Sequence, residues 1–264
     1  MSTTEVSTPA RLEVAGPVAT LTLANVKGMN AINKPLTRAV LACLDEAEAR
    51  AGVRVLLTVA EGPAWCAGGD VASMARLGDG THDWIRDVGA DVNVLIPRIH
   101  ESPLLTIAGV DGAVAGGGLG LMGAHDVVLA TPGTSLTFAY SALGLSPDAG
   151  GTYFVTRDLG YRRTLDLYLR NTKLDAARAA ELGLVTRVVD DAAALTDAAA
   201  GYAAGPAQAI RETKRLLRGA ADGHLARQLE DEIRTLADGT TGAEFREGLA
   251  AFLERRRPSF GDAS

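Results

Sequence analysis

Strand-like and helix-like patterns alternate along the chain as far as about residue 190. The segment RLEVAGPVATLTL alternates apolar and polar residues, which predicts two strands joined by a turn at residues 15–17. Apolar runs at 53–60 and 104–110 predict buried strands, and a helix-like pattern follows each of them. This alternation is typical of an α/β fold, and its rhythm suits a coiling ββα unit.

Helix-like patterns occur near the start of the chain and again after residue 190. Asn33 precedes the apolar face of KPLTRAVLACLDEAEAR and is predicted to cap that helix. After Asp190 the strand patterns stop, and three helix-like segments follow. We therefore predict a spiral core over residues 1–200 and a C-terminal helical region over residues 201–264. That region would either fold over its own core or contact another subunit.

Composition excludes several classes of protein. The net charge of −6 argues against a nucleic-acid-binding protein, which usually carries a basic face. The sequence contains no apolar run of the roughly 20 residues that span a bilayer, and its start lacks the pattern of a signal peptide. Two cysteines are too few for a disulfide framework. We therefore expect a cytoplasmic protein that binds neither membranes nor nucleic acid.

The segment DGAVAGGGLGLMGAHD places three consecutive glycines, residues 116–118, between a strand-like run and a helix-like run. Consecutive glycines weaken regular structure, so a folded chain needs a reason to keep them. The run by itself predicts a tight strand-to-helix turn with close packing.

Five motifs in chain order resemble the crotonase family of enoyl-CoA hydratases and isomerases. They are VRVLLTVAEGPAWCAGGDVASM, GAVAGGGLGLMGAHDVVLA, ALGLSPDAGGTYFVTRDLG, AARAAELGLVTRVV and EGLAAFLERRRPSF. The opening LANVKGMNAINKPL is similar to the family's first coenzyme A loop, although it is one residue shorter and lacks the usual proline. The resemblance covers nearly the whole chain. It implies a crotonase-like ββα superhelix with a C-terminal helical trimerisation region, assembled as a homotrimer or a dimer of trimers.

The resemblance also implies an acyl-CoA substrate and an enolate intermediate. Family members point two backbone N–H groups at the thioester oxygen, and the matching residues here are Gly69 and Gly117. Negative charge develops on that oxygen when a proton leaves the α-carbon, so fixed N–H dipoles stabilise it. No metal or redox cofactor is expected, because coenzyme A enters as the thioester part of the substrate.

Hydratases of this family resemble one another in two glutamates that hold the attacking water. The matching positions here are Gly120 and Tyr140, so both glutamates are missing. Asp148 stands instead where hydratases commonly carry glycine. Water addition by the usual two-carboxylate route is therefore not expected.

With an aspartate at position 148, the chain resembles three other branches of the family. In isomerases related to the 1,2-epoxyphenylacetyl-CoA isomerases it is the acid/base, often with an aromatic residue at the position of Tyr140. In dienoyl-CoA isomerases it is one of several acids. In 4-chlorobenzoyl-CoA dehalogenases it is the nucleophile and works with a histidine, whose matching position lies near Leu95, flanked by His82 and His100. Chemistry favours the first branch, because one carboxylate can carry a proton from C2 to C4 across one face of a substrate.

Structural alternatives exist for these residues. Asp148 could cap a helix that starts in SPDAGGT, and Tyr140 could be a pocket wall or core packing. Cys66 is interpreted as a small buried apolar residue. Asp70 is predicted to start a helix and Asp126 to end one.

The resemblance implies contacts to coenzyme A as well. Lys27 and Met29 lie in the first loop, the backbone of Ala67 would face the adenine, and Arg255 matches a basic position of the C-terminal helix. The lysine that the family commonly carries after its second loop is replaced by Ala72.

The main prediction is an acyl-CoA isomerase that shifts a C=C bond, from a 3-enoyl-CoA to a 2-enoyl-CoA or in a related ring isomerisation. Asp148 is its base and Gly69 and Gly117 form its oxyanion hole. Two alternatives remain open at this point, namely an enoyl-CoA hydratase that uses Asp148 and a non-catalytic acyl-CoA-binding homologue.

Overall fold

The computed structural model describes residues 8–77 and 80–222, together with the single residues 243, 247, 254, 256 and 259. One of the three predicted C-terminal helices lies within this part of the chain. The other two, and the predicted coenzyme A contact Arg255, lie wholly or largely outside the described residues.

The strands of the described residues form two β-sheets. The strands are β1 (Ala10–Ala15), β2 (Val18–Leu23), β3 (Val55–Ala60), β4 (Ala64–Cys66), β5 (Leu105–Val110), β6 (Ala113–Ala115), β7 (Val127–Ala130), β8 (Ser135–Thr137), β9 (Lys173–Asp175) and β10 (Arg187–Val188). The larger sheet has the order β1-β2-β3-β5-β7-β10, and the smaller has the order β4-β6-β8-β9. The β1–β2 hairpin and the β8–β9 pair are antiparallel, while every other pair is parallel.

The helices connect and cover these sheets. They are α1 (Lys34–Ala49), α2 (Val71–Leu77), α3 (Thr81–Glu101), α4 (Gly117–Gly123), α5 (Gly151–Leu159), α6 (Tyr161–Leu169), α7 (Ala176–Leu182), α8 (Ala192–Ala203) and α9 (Ala207–Asp222). The predicted cap of α1 is confirmed, because the side chain of Asn33 accepts a hydrogen bond of 3.0 Å from the Leu36 N–H.

The strands follow the ββα rhythm that the sequence predicts. In the pairs β3–β4, β5–β6 and β7–β8, the first strand joins the larger sheet and the second joins the smaller one. A helix follows each pair. The chain therefore advances as a spiral that adds one strand to each sheet per turn, and the end of each second strand enters a turn on the same side of the molecule.

Both faces of the larger sheet are buried. Along β3, Leu56 belongs to the main core and Leu57 to a second, smaller core, because neighbouring side chains of a strand point to opposite faces. The second core is closed by α8 through Leu195, Ala199 and Ala203. The apolar face of α3 is buried at most positions, although Ile85 near the start of the helix is 36% exposed.

The division at residues 200 and 201 falls within α8, which runs continuously across it. Beyond α8, helix α9 is tied to the core by Lys214, which pairs with Asp126 at the start of β7. The division into a core and a C-terminal region stays a prediction. Within the described ranges, none of the helices has the length and apolar character that a bilayer-crossing segment requires.

Candidate active site

Two glycine-containing turns meet at the ends of β4 and β6. Gly68 has a φ of +84°, and a Cβ atom built on it would lie 2.5 Å from the Ala115 carbonyl oxygen and 3.1 Å from the Gly117 nitrogen. A side chain at residue 68 would therefore push the two turns apart. Gly116 has a φ of +50° and leads directly into α4. This close approach explains why glycines are kept where they weaken regular structure.

The structure brings the two predicted oxyanion-hole residues together through this contact. Gly69 follows Gly68 in the chain and forms an isolated parallel bridge with Ile32, and Gly117 is the first residue of α4. Within the described ranges, neither N–H group donates to another backbone or side-chain acceptor. Both N–H groups are therefore available to a ligand, and that of Gly117 has the favourable dipole of a helix start.

Asp148 lies on a tight turn before α5. The two residues that follow it, Ala149 and Gly150, both have left-handed backbone, with φ values of +51° and +77°. A non-glycine residue in this region is uncommon and carries some strain. The turn is closed by a 2.9 Å hydrogen bond from the Gly151 N–H to the backbone carbonyl of Asp148.

The interpretation of Asp148 as a helix cap is wrong. The N-cap of α5 is Gly150, and no side chain caps this helix in the described structure. The left-handed turn carries the Asp148 carboxylate away from the helix start, so the carboxylate does not reach the free N–H groups. The side chain is solvent-exposed and open to a substrate.

Tyr140 and Gly117 flank the Asp148 carboxylate. The Tyr140 hydroxyl donates a hydrogen bond of 2.5 Å to Oδ1 of Asp148. A Cβ atom built on Gly117 would lie 3.2 Å from the same oxygen. Tyr140 is only 9% exposed, and burial, together with the charge of Asp148, raises the pKa of its hydroxyl above the usual value. Tyr140 therefore stays a neutral donor that holds the carboxylate beside Gly117.

The packing around Gly120 explains why this position does not carry a glutamate. A Cβ atom built there would lie 1.9 Å from the Ala149 carbonyl oxygen and 2.8 Å from the Gly151 nitrogen. The turn that carries Asp148 occupies the space that a side chain on Gly120 would need. In this chain the Asp148 turn and a glutamate at residue 120 exclude each other.

The predicted coenzyme A loop lies beside the first glycine turn. The Ala67 N–H donates a hydrogen bond of 3.1 Å to the Met29 carbonyl oxygen. Met29 is 41% exposed, and Lys27 is exposed on the 3-10 turn Val26–Gly28. The structure thus brings Lys27, Met29 and Ala67 to one rim, next to Gly69. Arg255 lies outside the described residues.

The other polar candidates have structural roles. Asp70 accepts hydrogen bonds of 2.9 Å from the Ser73 N–H and 2.7 Å from the Ser73 hydroxyl, as expected for a residue that starts α2. Asp126 follows α4 and accepts 2.8 Å hydrogen bonds from the N–H and the hydroxyl of Thr106. Cys66 is fully buried, and burial raises the pKa of its thiol to about 12. These contacts agree with the interpretations of Asp70 and Cys66. The role of Asp126 is structural, as predicted, but it does not end a helix, because α4 ends at Gly123.

Three of the four histidines lie in the described ranges, and none of them contacts Asp148 there. His82 is exposed and bonds to its neighbour Asp83. His100 is half-buried rather than a plain surface residue, with its ring 5.3 Å from that of Phe154. It lines a separate cavity of about 600 Å³, whose lining does not include Asp148, Gly69 or Gly117. The position near Leu95 that would need a histidine in a dehalogenase belongs to the core.

Sequence reasoning missed two residues of the site. Ile32 bridges Gly69, and its Cδ1 atom would lie 3.2 Å from a Cβ atom on Gly117, so it lines the space between the two turns. Tyr168 on α6 packs its ring 5.9 Å from the ring of Tyr140. An aromatic residue within an apolar helical run carries no local signal that would separate it from ordinary core residues.

The spiral of two sheets, with two glycine turns meeting beside a carboxylate, defines a crotonase-fold protein. The family described as Enoyl-CoA hydratase/isomerase has a sequence model that matches residues 13–263. The chain therefore belongs to the enoyl-CoA hydratase/isomerase family.

Individual relatives agree with this assignment. The chain is 33% identical to a protein of Rhodobacter capsulatus named "Probable enoyl-CoA hydratase", over 95% of this chain and 96% of that protein. It is also 33% identical to the 1,2-epoxyphenylacetyl-CoA isomerase of Escherichia coli K12, over 92% and 94% of the two chains. Among solved structures, an enoyl-CoA hydratase from Polaromonas sp. JS666 superposes with a TM-score of 0.89 at 29% identity, covering 95% of this chain and 98% of that one.

Proposed function

We propose that the chain is an acyl-CoA isomerase that converts a 3-enoyl-CoA, or a related ring substrate, through an enolate held by the N–H groups of Gly69 and Gly117. Asp148 is the acid and base of this reaction. The observation that carries the proposal is the position of the Asp148 carboxylate, which is exposed to solvent, hydrogen-bonded to Tyr140 and close to Gly117.

The reaction balances with one carboxylate. Asp148 takes the proton from C2, and the C–H electron pair moves toward C1 and places negative charge on the thioester oxygen. The two N–H groups stabilise that charge as it develops. The protonated Asp148 then returns the proton to C4, and the electrons of the dienolate form the C2=C3 bond. The proton is taken and returned by one group, so no other reactant is consumed.

The packing of Gly120 supports isomerisation over hydration by the usual route. Water addition would need a second acid or base to orient the water, and the Asp148 turn fills the space beside Gly120 where one would stand. The similarity to a 1,2-epoxyphenylacetyl-CoA isomerase supports this choice. The similarity to a protein named as a probable hydratase makes hydration the alternative outcome of the test.

Substrate binding is proposed for the rim formed by the first loop. The exposed ammonium group of Lys27 suits the phosphates of coenzyme A, and the backbone around Met29 and Ala67 suits its adenine.

Assembly into a homotrimer or a dimer of trimers is proposed as well. Tyr161, Leu165 and Leu169 form an apolar row on α6, spaced four residues apart and 70%, 42% and 65% exposed, which subunit contact would cover.

The test is hydrogen exchange in heavy water. Wild type, Asp148→Asn and the control Asp166→Asn are incubated with trans-3-hexenoyl-CoA, while deuterium at C2 and absorbance of the 2-enoyl product are followed. Asp166 is a suitable control because it is an exposed carboxylate on α6. We expect exchange and isomerisation in wild type and in Asp166→Asn, and a loss of at least about a hundredfold in Asp148→Asn.

Two other results would contradict the proposal. Accumulation of a 3-hydroxyacyl-CoA as the first product would make the protein a hydratase. Binding of acyl-CoA without exchange, across a panel of aliphatic and aromatic thioesters, would make it a non-catalytic homologue.

A further inference from the structure

The side chain of Tyr168 is buried, but its hydroxyl group is unsatisfied. The residue is 7% exposed, and its ring packs edge-on against Phe138 at 4.9 Å. The hydroxyl oxygen is inaccessible to solvent and has no hydrogen-bond partner among the described residues. A buried hydroxyl without a partner costs free energy, and a phenylalanine would fill the same space without that cost.

The hydroxyl lies against the turn that carries Asp148. A Cβ atom built on Gly151 would be only 2.7 Å from the Tyr168 hydroxyl oxygen, so the two groups are in direct contact. Gly151 is in turn bonded to the backbone carbonyl of Asp148. Burial, and then the charge of Asp148, raise the pKa of Tyr168 to about 12. The Tyr168 hydroxyl is therefore a neutral group in the electrostatic field of the carboxylate.

The turn that carries Asp148 consequently has two tyrosine hydroxyls beside it, supplied by different parts of the fold. Tyr140 follows β8 and already donates to Oδ1. Tyr168 lies on α6, and its ring is tilted by 57° against that of Tyr140. A hydroxyl can donate to a carboxylate and can also accept from a carboxylic acid, so it can bond to Asp148 in either protonation state.

We propose that Tyr168 is a positioning residue, whose hydroxyl holds a second orientation of the Asp148 carboxyl group, the one that returns the proton to C4. This inference rests on the proposed isomerase function. A base that removes a proton at C2 and returns it at C4 must change direction between the two transfers. The bond from Tyr140 holds the first orientation, and Tyr168 offers a bond to the carboxyl group once it has turned.

The inference predicts a specific change in how the enolate partitions. The enolate either regains a hydrogen at C2, which is seen as deuterium exchange, or receives one at C4, which is seen as isomerisation. In Tyr168→Phe we expect isomerisation to fall by roughly two- to tenfold, the range for loss of one hydrogen bond. Exchange at C2 and KM should stay near the wild-type values. The ratio of exchange to isomerisation should therefore rise by the same factor.

The matched control is Tyr161→Phe, because it removes a hydroxyl from the same helix and keeps the aromatic ring of the proposed subunit contact. Tyr161 is 70% exposed in the single chain. Its ratio of exchange to isomerisation should equal that of wild type. An unchanged ratio in Tyr168→Phe would overturn the inference, as would an equal fall of both rates. A raised KM with an unchanged ratio would make Tyr168 a wall of the acyl pocket and would also overturn it.

A second measurement separates this inference from the proposed function, since it needs no substrate. The protein is labelled with tyrosine carrying ¹³C at Cζ, and the Tyr168 signal is identified by its loss in Tyr168→Phe. At pH 7.5 we expect this signal to differ between wild type and Asp148→Asn and to be the same in wild type and Asp166→Asn. A Tyr168 signal that is unchanged in Asp148→Asn would overturn the inference, whether or not the enzyme isomerises its substrate.

Discussion

Tyr140 and Asp148, eight residues apart in the chain, are joined by a 2.5 Å hydrogen bond from the phenol to the carboxylate. The phenol is buried and the carboxylate is exposed, so the bond ties a reactive group on the surface to the core. Within the described residues, Tyr140 donates the side-chain hydrogen bond that orients the Asp148 carboxylate on its left-handed turn.

Tyr140→Phe should therefore impair chemistry more than binding. A hydrogen bond to a charged group contributes about 1.5–3 kcal/mol, so we expect kcat for isomerisation to fall by about ten- to a hundredfold. KM should remain close to the wild-type value, because the bond does not involve the coenzyme A rim. Steady-state kinetics beside Tyr161→Phe checks this, and wild-type kcat in Tyr140→Phe would contradict it.

Gly120→Ala should be strongly destabilising. Its methyl group would overlap the Ala149 carbonyl oxygen, a backbone atom that cannot rotate away, and overpacking of this kind costs about 1–3 kcal/mol or more. The Asp148 turn would also be displaced, so activity should fall with stability. Urea unfolding measures the change in the free energy of unfolding.

Gly89→Ala is the matched control for that change. Gly89 lies within α3, and a Cβ atom there would have no neighbour within 4 Å. Alanine should stabilise the helix by roughly 0.5–1 kcal/mol at this position. Equal effects of the two substitutions would show that the close approach at Gly120 does not restrict its side chain.

His125 should make stability depend on pH. Its Nδ1 lies 3.0 Å from the Leu121 carbonyl oxygen and its Nε2 lies 2.9 Å from the Thr58 hydroxyl. Burial lowers the pKa of its imidazole to about 4, against 6.5 for the ordinary group. The unfolded chain therefore binds a proton between pH 6.5 and 4 that the folded chain excludes. Stability is retained above pH 6.5 and is lost as the pH falls, by about 2 kcal/mol at pH 5.

Urea unfolding at pH 7.5 and pH 5 measures this dependence. His125→Gln should lose most of it, while His82→Gln should keep it, because His82 is exposed. His100 is half-buried, and burial lowers the pKa of its imidazole as well. It therefore contributes a smaller part of the pH dependence, which both variants retain. A dependence that is unchanged in His125→Gln would contradict the prediction.

The ion pair of Lys214 with Asp126 should matter more than the surface pairs. The two side chains are 8% and 12% exposed, and Arg218 also bonds to Asp126, at 3.0 Å. Removing one partner leaves a buried charge with less compensation, so Lys214→Met should lower the free energy of unfolding by about 3 kcal/mol.

Arg170→Ala is the control for this pair, because Arg170 and Asp166 are 75% and 64% exposed. It should cost less than about 0.5 kcal/mol. The double variant Asp126→Asn, Lys214→Met should lose less than the two single changes added together. Additive losses would mean that the pair has no coupling energy.

Local patterns in the sequence predicted the elements that surround the site. The hairpin of β1 and β2, the buried strands β3 and β5 and the Asn33 cap are all confirmed, because each depends on neighbouring residues. The glycine run at residues 116–118 was predicted as a turn on the same ground. The cap interpretation of Asp148 was wrong, because Ala149 adopts a left-handed conformation that its residue type does not indicate, and Gly150 becomes the N-cap.

The sequence by itself determined the order of strands and helices and, through its motifs, the family. It also determined which residue types were available for chemistry, namely an aspartate and no glutamate at the two hydratase positions. Tertiary structure decided what those residues face. Three contacts join segments that lie 8 to 29 residues apart in the chain. They are the close approach of Gly120 to Ala149, the bond from Tyr140 to Asp148 and the contact of the Tyr168 hydroxyl with Gly151. Such contacts depend on how the spiral turns stack on one another, which local periodicity does not encode.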